Sequence, residues 1–132
     1  MRKGFSLLEL ILVMVVVGIL AVLAIFNYAP SRERALDREA RASLRLLKAA
    51  EQVFFMENMG YFISADIAEI NQNLRLFLPA GDDRSWDYEC FDPAGTGNDC
   101  IQATRFGGDG RSWHIMIAGD DPPQTGLCVI PE

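Results

Sequence analysis

Few residues in this 132-residue chain have the types and spacing to do chemistry, and the first is a carboxylate in apolar company. Glu9 stands inside MRKGFSLLELILVMVVVGILAVLAIFNYA, where the residues from Phe5 to Phe26 are otherwise apolar apart from Ser6 and Gly18. A carboxylate in a membrane-spanning helix costs on the order of 2.5 to 3.5 kcal/mol at the bilayer centre and less near an end, so Glu9 needs a partner or a task. A nearby amine would neutralise it, and at low local dielectric such a pair is far stronger than in water.

The three cysteines, Cys90, Cys100 and Cys128, offer disulfide chemistry. An odd number leaves one thiol free, shared between chains or buried, and three intrachain pairs are open. Cys90 and Cys100 flank the turn-like FDPAGTGND, so they are the favoured pair. Their bridge would close a loop of about ten residues and stabilise by roughly 2 to 3 kcal/mol in the chain-entropy model.

Acidic pairs at Asp82 and Asp83, Asp120 and Asp121, and the Asn98–Asp99 step supply oxygens that suit calcium. The segment from Gly119 to Gly126, with Asp120 and Asp121, is the leading candidate, although no EF-hand pattern is present and such pairs commonly form solvated turns. No CxxC spacing accompanies the single His114, so zinc has little support. His114 also lacks a nucleophile motif nearby, and Gly107, Gly108 and Gly110 precede a strand where a phosphate loop requires a helix. The expectation is a protein that is not an enzyme and carries no cofactor, calcium being the one candidate.

These groups must be positioned by a few elements. The run from Phe5 to Phe26 would rise roughly 33 Å as a helix, enough to cross a bilayer. Arg2 and Lys3 stand before it, which places the amino terminus on the cytoplasmic side and everything after Phe26 outside. A cleaved secretory signal has a shorter apolar core and an A-x-A site, and none occurs between Leu20 and Ser31. Gly18 and Pro30 are the weak points of the helix, the first costing about 1 kcal/mol relative to alanine and the second removing a backbone hydrogen bond.

From Ser31 to about Glu57 the pattern stays helical, with Leu36, Ala40, Leu44, Leu47, Ala50 and Phe54 making one apolar stripe. Arg38, Arg41, Arg45 and Lys48 form a basic face, either solvated or in contact with an acidic neighbouring subunit. Gly60 is the expected C-terminal cap and Ser64 the N-cap of a short helix from Ala65 to Asn71 or beyond, with Ile67, Ile70 and Leu74 facing a core. Strands are expected at Ser85 to Phe91, Ile101 to Phe106, Ser112 to Ala118 and Gly126 to Ile130. A meander packed on the amphipathic helix gives an α+β fold, because the helix stripe and the sheet face each need the other.

Composition sets the remaining bounds. With 18 acids against 12 Lys and Arg the net charge is -6, and past residue 60 the basic residues are Arg75, Arg84, Arg105 and Arg111 alone. That surface argues against nucleic acid as a partner.

The run Arg2, Lys3, Gly4, Phe5, Ser6, Leu7, Leu8, Glu9, Leu10 resembles the processing site of type IV pilins and of the related pseudopilins of type II secretion systems. The resemblance is specific from Arg2 to about Pro30 and covers the rest only as a general layout. It implies a leader of residues 1–4 removed after Gly4 by a membrane-embedded prepilin peptidase, N-methylation of Phe5, a spanning and filament-core helix at 5–29, and an outer pilin-like domain at 30–132. Glu9 matches the family's glutamate and would meet the new terminal amine of Phe5, within a subunit or between neighbours. The resemblance also implies a homo-oligomeric filament, inner-membrane assembly machinery, minor pilins, and residence in the inner membrane before the pilus or periplasmic pseudopilus. By the same analogy a disulfide near the C-terminus could join Cys128 to Cys100 or Cys90. A secretion pseudopilin is the alternative within the family, and a monomeric, signal-anchored envelope binding protein is the alternative outside it.

Overall fold

The computed structural model describes residues 6–92 and 99–128, apart from the side chains of residues 26 and 27. In chain order its elements are α1 (Leu7–Asn58), α2 (Ile67–Asn73), β1 (Trp86–Phe91), β2 (Cys100–Arg105), β3 (Ser112–Met116) and β4 (Gln124–Thr125). They fall into two compact units, Met1–Leu36 and Asp37–Glu132.

The first unit is helix from Leu7 onward. Its first turn hangs on the Ser6 carbonyl, which accepts from the N–H groups of Glu9 at 3.0 Å and Leu10 at 3.2 Å. Among the described residues α1 is the one helix long and apolar enough to cross a membrane by length and composition. Its most apolar window has a mean hydropathy of 3.1, and none of that window is buried. A Cβ placed on Gly18 would meet nothing within 4 Å, so none of the described residues demands glycine there. Pro30 lies inside α1.

In the second unit the four strands form an antiparallel meander in the order β1-β2-β3-β4. The period-2 alternation of WDYECF buries Trp86, Tyr88 and Cys90 and leaves Asp87, Glu89 and Phe91 on the other face. Register then places Ile101 opposite Cys90 and Ala103 opposite Tyr88, and Ile115 opposite Ile101, so all of these share the core face. Ala40, Leu44 and Leu47 of α1 are fully buried, as the helix stripe predicts. Asp37 ties the same helix to β3, accepting from Trp113 Nε1 at 3.4 Å and from Arg111 Nη1 at 3.0 Å. Ile67, Ile70 and Leu74 close the core beneath α2, also as predicted.

Several expectations are corrected. Met59, at φ 60, takes the left-handed position after α1 in place of Gly60, its N–H donating to the Phe55 carbonyl at 2.8 Å. The N-cap of α2 is Asp66, whose carboxylate accepts from the Ala68 N–H at 2.7 Å. Ser64 sits two residues earlier, its hydroxyl accepting from the Asp66 N–H at 3.0 Å and donating to Glu69 at 2.8 Å, while its backbone bridges Cys90. The fourth strand is Gln124–Thr125, upstream of the predicted Gly126 to Ile130; residues 126–128 are not strand, and 129–130 lie outside the described residues. Gly126, at φ 109, turns the chain out of the ladder.

The favoured disulfide is also corrected. Cys100 pairs with Cys128, Cα to Cα 6.4 Å, and Cys90 is a buried free thiol. The pairing of Phe91 with Cys100 is the reason: adjacent residues of a strand point to opposite faces, so Cys100 shares the face of Phe91 and Cys90 the core face. The chain after β4 returns along the outer face, where the Cys128 N–H donates to Gln102 Oε1 at 3.2 Å.

Candidate functional site

Glu9 is in the first turn of α1, exposed, with Leu7, Leu8, Leu10, Ile11 and Leu12 exposed around it. A carboxylate at a helix N-terminus is favoured by the unsatisfied N–H groups and the helix dipole. Among the described residues Glu9 makes no ion pair. Gly4 and Phe5, the predicted processing residues, lie outside the described residues.

The disulfide residues and His114 form a separate, structural group. His114 Nδ1 lies 3.0 Å from the Gly126 carbonyl oxygen, which helps hold the segment leading to Cys128 against β3. Asp120 and Asp121 are exposed and border a groove with Arg45, Lys48, Pro122 and Pro123. Calcium takes six to eight oxygens, and two cations beside two carboxylates do not fit that requirement. Among the described residues no group of three or more His, Cys, Asp or Glu side chains comes together as a metal site.

The sequence stripe missed one buried group. Glu51 continues the Ala40, Leu44, Leu47 series and is fully buried, whereas the predicted Ala50 and Phe54 are only half-buried. The spacing of four, three and four residues was the available signal. Glu51 Oε2 accepts the Phe62 N–H at 2.9 Å, while Oε1 has no protein hydrogen bond among the described residues. Burial raises the Glu51 pKa, against the lowering effects of the Phe62 N–H and the Cys90 thiol; the charge of Asp99 raises it further. Burial is also the main reason that the Cys90 thiol is pushed far up, with the Glu51 charge next, so Cys90 is an inert thiol. Tyr88 is buried close to the Ser43 side chain without good hydrogen-bond geometry, and burial carries its pKa to about 12.

Against known proteins, residues 1–25 match the prokaryotic N-terminal methylation motif. The type IV major pilin protein PilA of Myxococcus xanthus (strain DK1622) is 39% identical over 60 residues, which cover 46% of this chain and 27% of that protein. The match thus spans little more than a quarter of the relative's length. No solved structure matches the chain. The motif and the similarity support a type IV pilin family for this chain, and its long apolar helix with a small antiparallel four-stranded sheet is pilin-like.

Proposed function

We propose that this chain, on the premise of the type IV pilin family, is a structural subunit of a type IV pilus or pilus-like filament. In this reading it is made as a precursor, cleaved after Gly4 by a prepilin peptidase, N-methylated on Phe5 and polymerised through its first helix. The observation that carries the reading is the conjunction of the methylation motif with an apolar helical window that is unburied, its first turn holding a carboxylate, Glu9, that makes no ion pair among the described residues. A surface that apolar needs lipid or other helices around it, and a subunit leaving the membrane exchanges the first for the second. Glu9 then draws the methylated amine of Phe5, a charge that does not exist until the leader is removed. Gly18 and Pro30 are where the helix would yield during that exchange. The role is mechanical and not enzymatic.

The test is mass spectrometry of the mature amino terminus, followed by imaging of filaments from a Glu9→Gln variant. Methylated Phe5, with filaments lost and membrane insertion kept in the variant, is the expected result. A retained Met1, or normal filaments from Glu9→Gln, overturns the reading. Filament length in the same images separates an extended pilus from a short secretion pseudopilus.

A further inference from the structure

The second unit carries opposite charges along the two edges of its sheet. On the β3–β4 side runs the row Arg38, Arg41, Arg45 and Lys48 of α1. Two contacts fix that placement: the Arg41 guanidinium lies 4.9 Å from the centre of the Trp113 ring, and Lys48 Nζ donates to the Gly119 carbonyl. Arg38 and Arg45 are exposed and make no ion pair among the described residues.

At the opposite edge, the Ser64–Cys90 bridge holds the segment leading to α2 along β1. Between that segment and the Ala80 to Asp87 stretch is an open groove of about 580 Å³ lined by Asp66 and Asp87 among others. Asp82 and Asp83 occupy the exposed turn that forms part of the same stretch, and Glu89 is exposed on β1. Arg84 lines the groove too, but it is spent on Asp87 at 2.5 Å and on the Phe106 ring, so the edge stays acidic.

We infer that the Arg38–Arg45 row of one copy docks on the acidic β1 edge of a second copy. The inference rests on the filament reading and names a contact within it. Arg38 and Arg45 stand seven residues apart, roughly 10 Å along the helix, and guanidinium groups pair with carboxylates through two parallel hydrogen bonds. Because the two patches lie on different edges of the sheet, the contact is heterologous: each added copy leaves one basic and one acidic edge free, and addition continues. A long polyanion is the weaker occupant, since Asp120 and Asp121 border the row and the unit is acidic overall.

The test uses the full chain in the membranes of producing cells, with a photo-crosslinking residue in place of exposed Ala42, which lies between Arg38 and Arg45. Illumination is expected to give a dimer whose cross-link maps to residues 64–89 of the second copy. Arg38→Glu with Arg45→Glu should cut that dimer by about tenfold or more, and so should Asp82→Arg with Asp83→Arg. Combining both pairs of substitutions should restore it. Formation of the Cys100–Cys128 disulfide in every variant reports that the domain has folded. A dimer unaffected by charge reversal, a cross-link elsewhere on the second copy or to another macromolecule, or no cross-link overturns the contact. Filaments are imaged in the same samples. Their absence beside a charge-dependent cross-link overturns the filament reading alone, and filaments without the cross-link overturn the contact alone.

Discussion

Glu51 and Phe62 are joined across the end of α1 by a hydrogen bond of 2.9 Å, the buried carboxylate accepting the backbone N–H of the segment that leaves the helix. The bond satisfies one carboxylate oxygen, and the other has no hydrogen bond among the described residues. A charge held this way is costly to bury, and the fold's response to pH follows from it.

The pKa of Glu51 is raised from an ordinary value of 4.5, burial being the main cause, and that of Asp99 is raised by burial and then by Asp92. Both acids therefore hold their protons more tightly when folded. Their contribution is most favourable below the unfolded values and is lost as pH rises toward the folded ones. Denaturant midpoints measured from about pH 4 to about pH 8 should fall across that window. Glu51→Gln should remove part of the slope and Glu51→Gln with Asp99→Asn most of it. A slope unchanged in both variants would reject the assignment.

The Cys100–Cys128 bridge spans 28 residues of sequence. The chain-entropy model gives such a loop roughly 3.5 kcal/mol of stabilisation. Cys100→Ser and Cys128→Ser should each lose about that much in equilibrium unfolding, whereas Cys90→Ser should leave the bridge intact. Mapping of non-reduced peptides checks this directly, and a peptide joining Cys90 to either of the others would contradict it.

Leu44 and Leu47 are fully buried where α1 packs in the core of the second unit. Truncating either to alanine should destabilise that unit by about 2 to 5 kcal/mol. The exposed Leu46 on the same helix should tolerate alanine within about 0.5 kcal/mol. Thermal unfolding of the three variants distinguishes the faces, and equal losses would place the stripe wrongly.

Asn71 clamps the loop after α2 with two bonds, Nδ2 donating to the Leu78 carbonyl at 2.9 Å and Oδ1 accepting the Leu78 N–H at 2.8 Å. Asn71→Ala strands both backbone groups and should cost about 1 to 3 kcal/mol. Asn71→Asp keeps the acceptor and should cost less. Faster amide exchange at Leu78 in Asn71→Ala is the readout; unchanged exchange would show that the clamp does not hold the loop.

Much of this molecule was legible in its residues. The length and apolarity of the first helix, the lone Glu9, the stripe of Ala40, Leu44 and Leu47, and the alternation of Trp86, Tyr88 and Cys90 are local patterns, and periodicity alone assigns their faces. What the tertiary structure decided were matters of register and neighbourhood. Cys90 and Cys100 flank a turn, yet one rung of the β1–β2 ladder puts them on opposite faces, and only the return of the chain after β4 brings Cys128 to Cys100. Glu51 lies on the spacing of the buried stripe, but its partners come from elsewhere in the chain: the backbone of the segment carrying Phe62 and the strand carrying Cys90. Sequence sets which face a residue takes along its own element. Which residues meet across elements depends on long-range pairing, where a shift of one residue reverses every face.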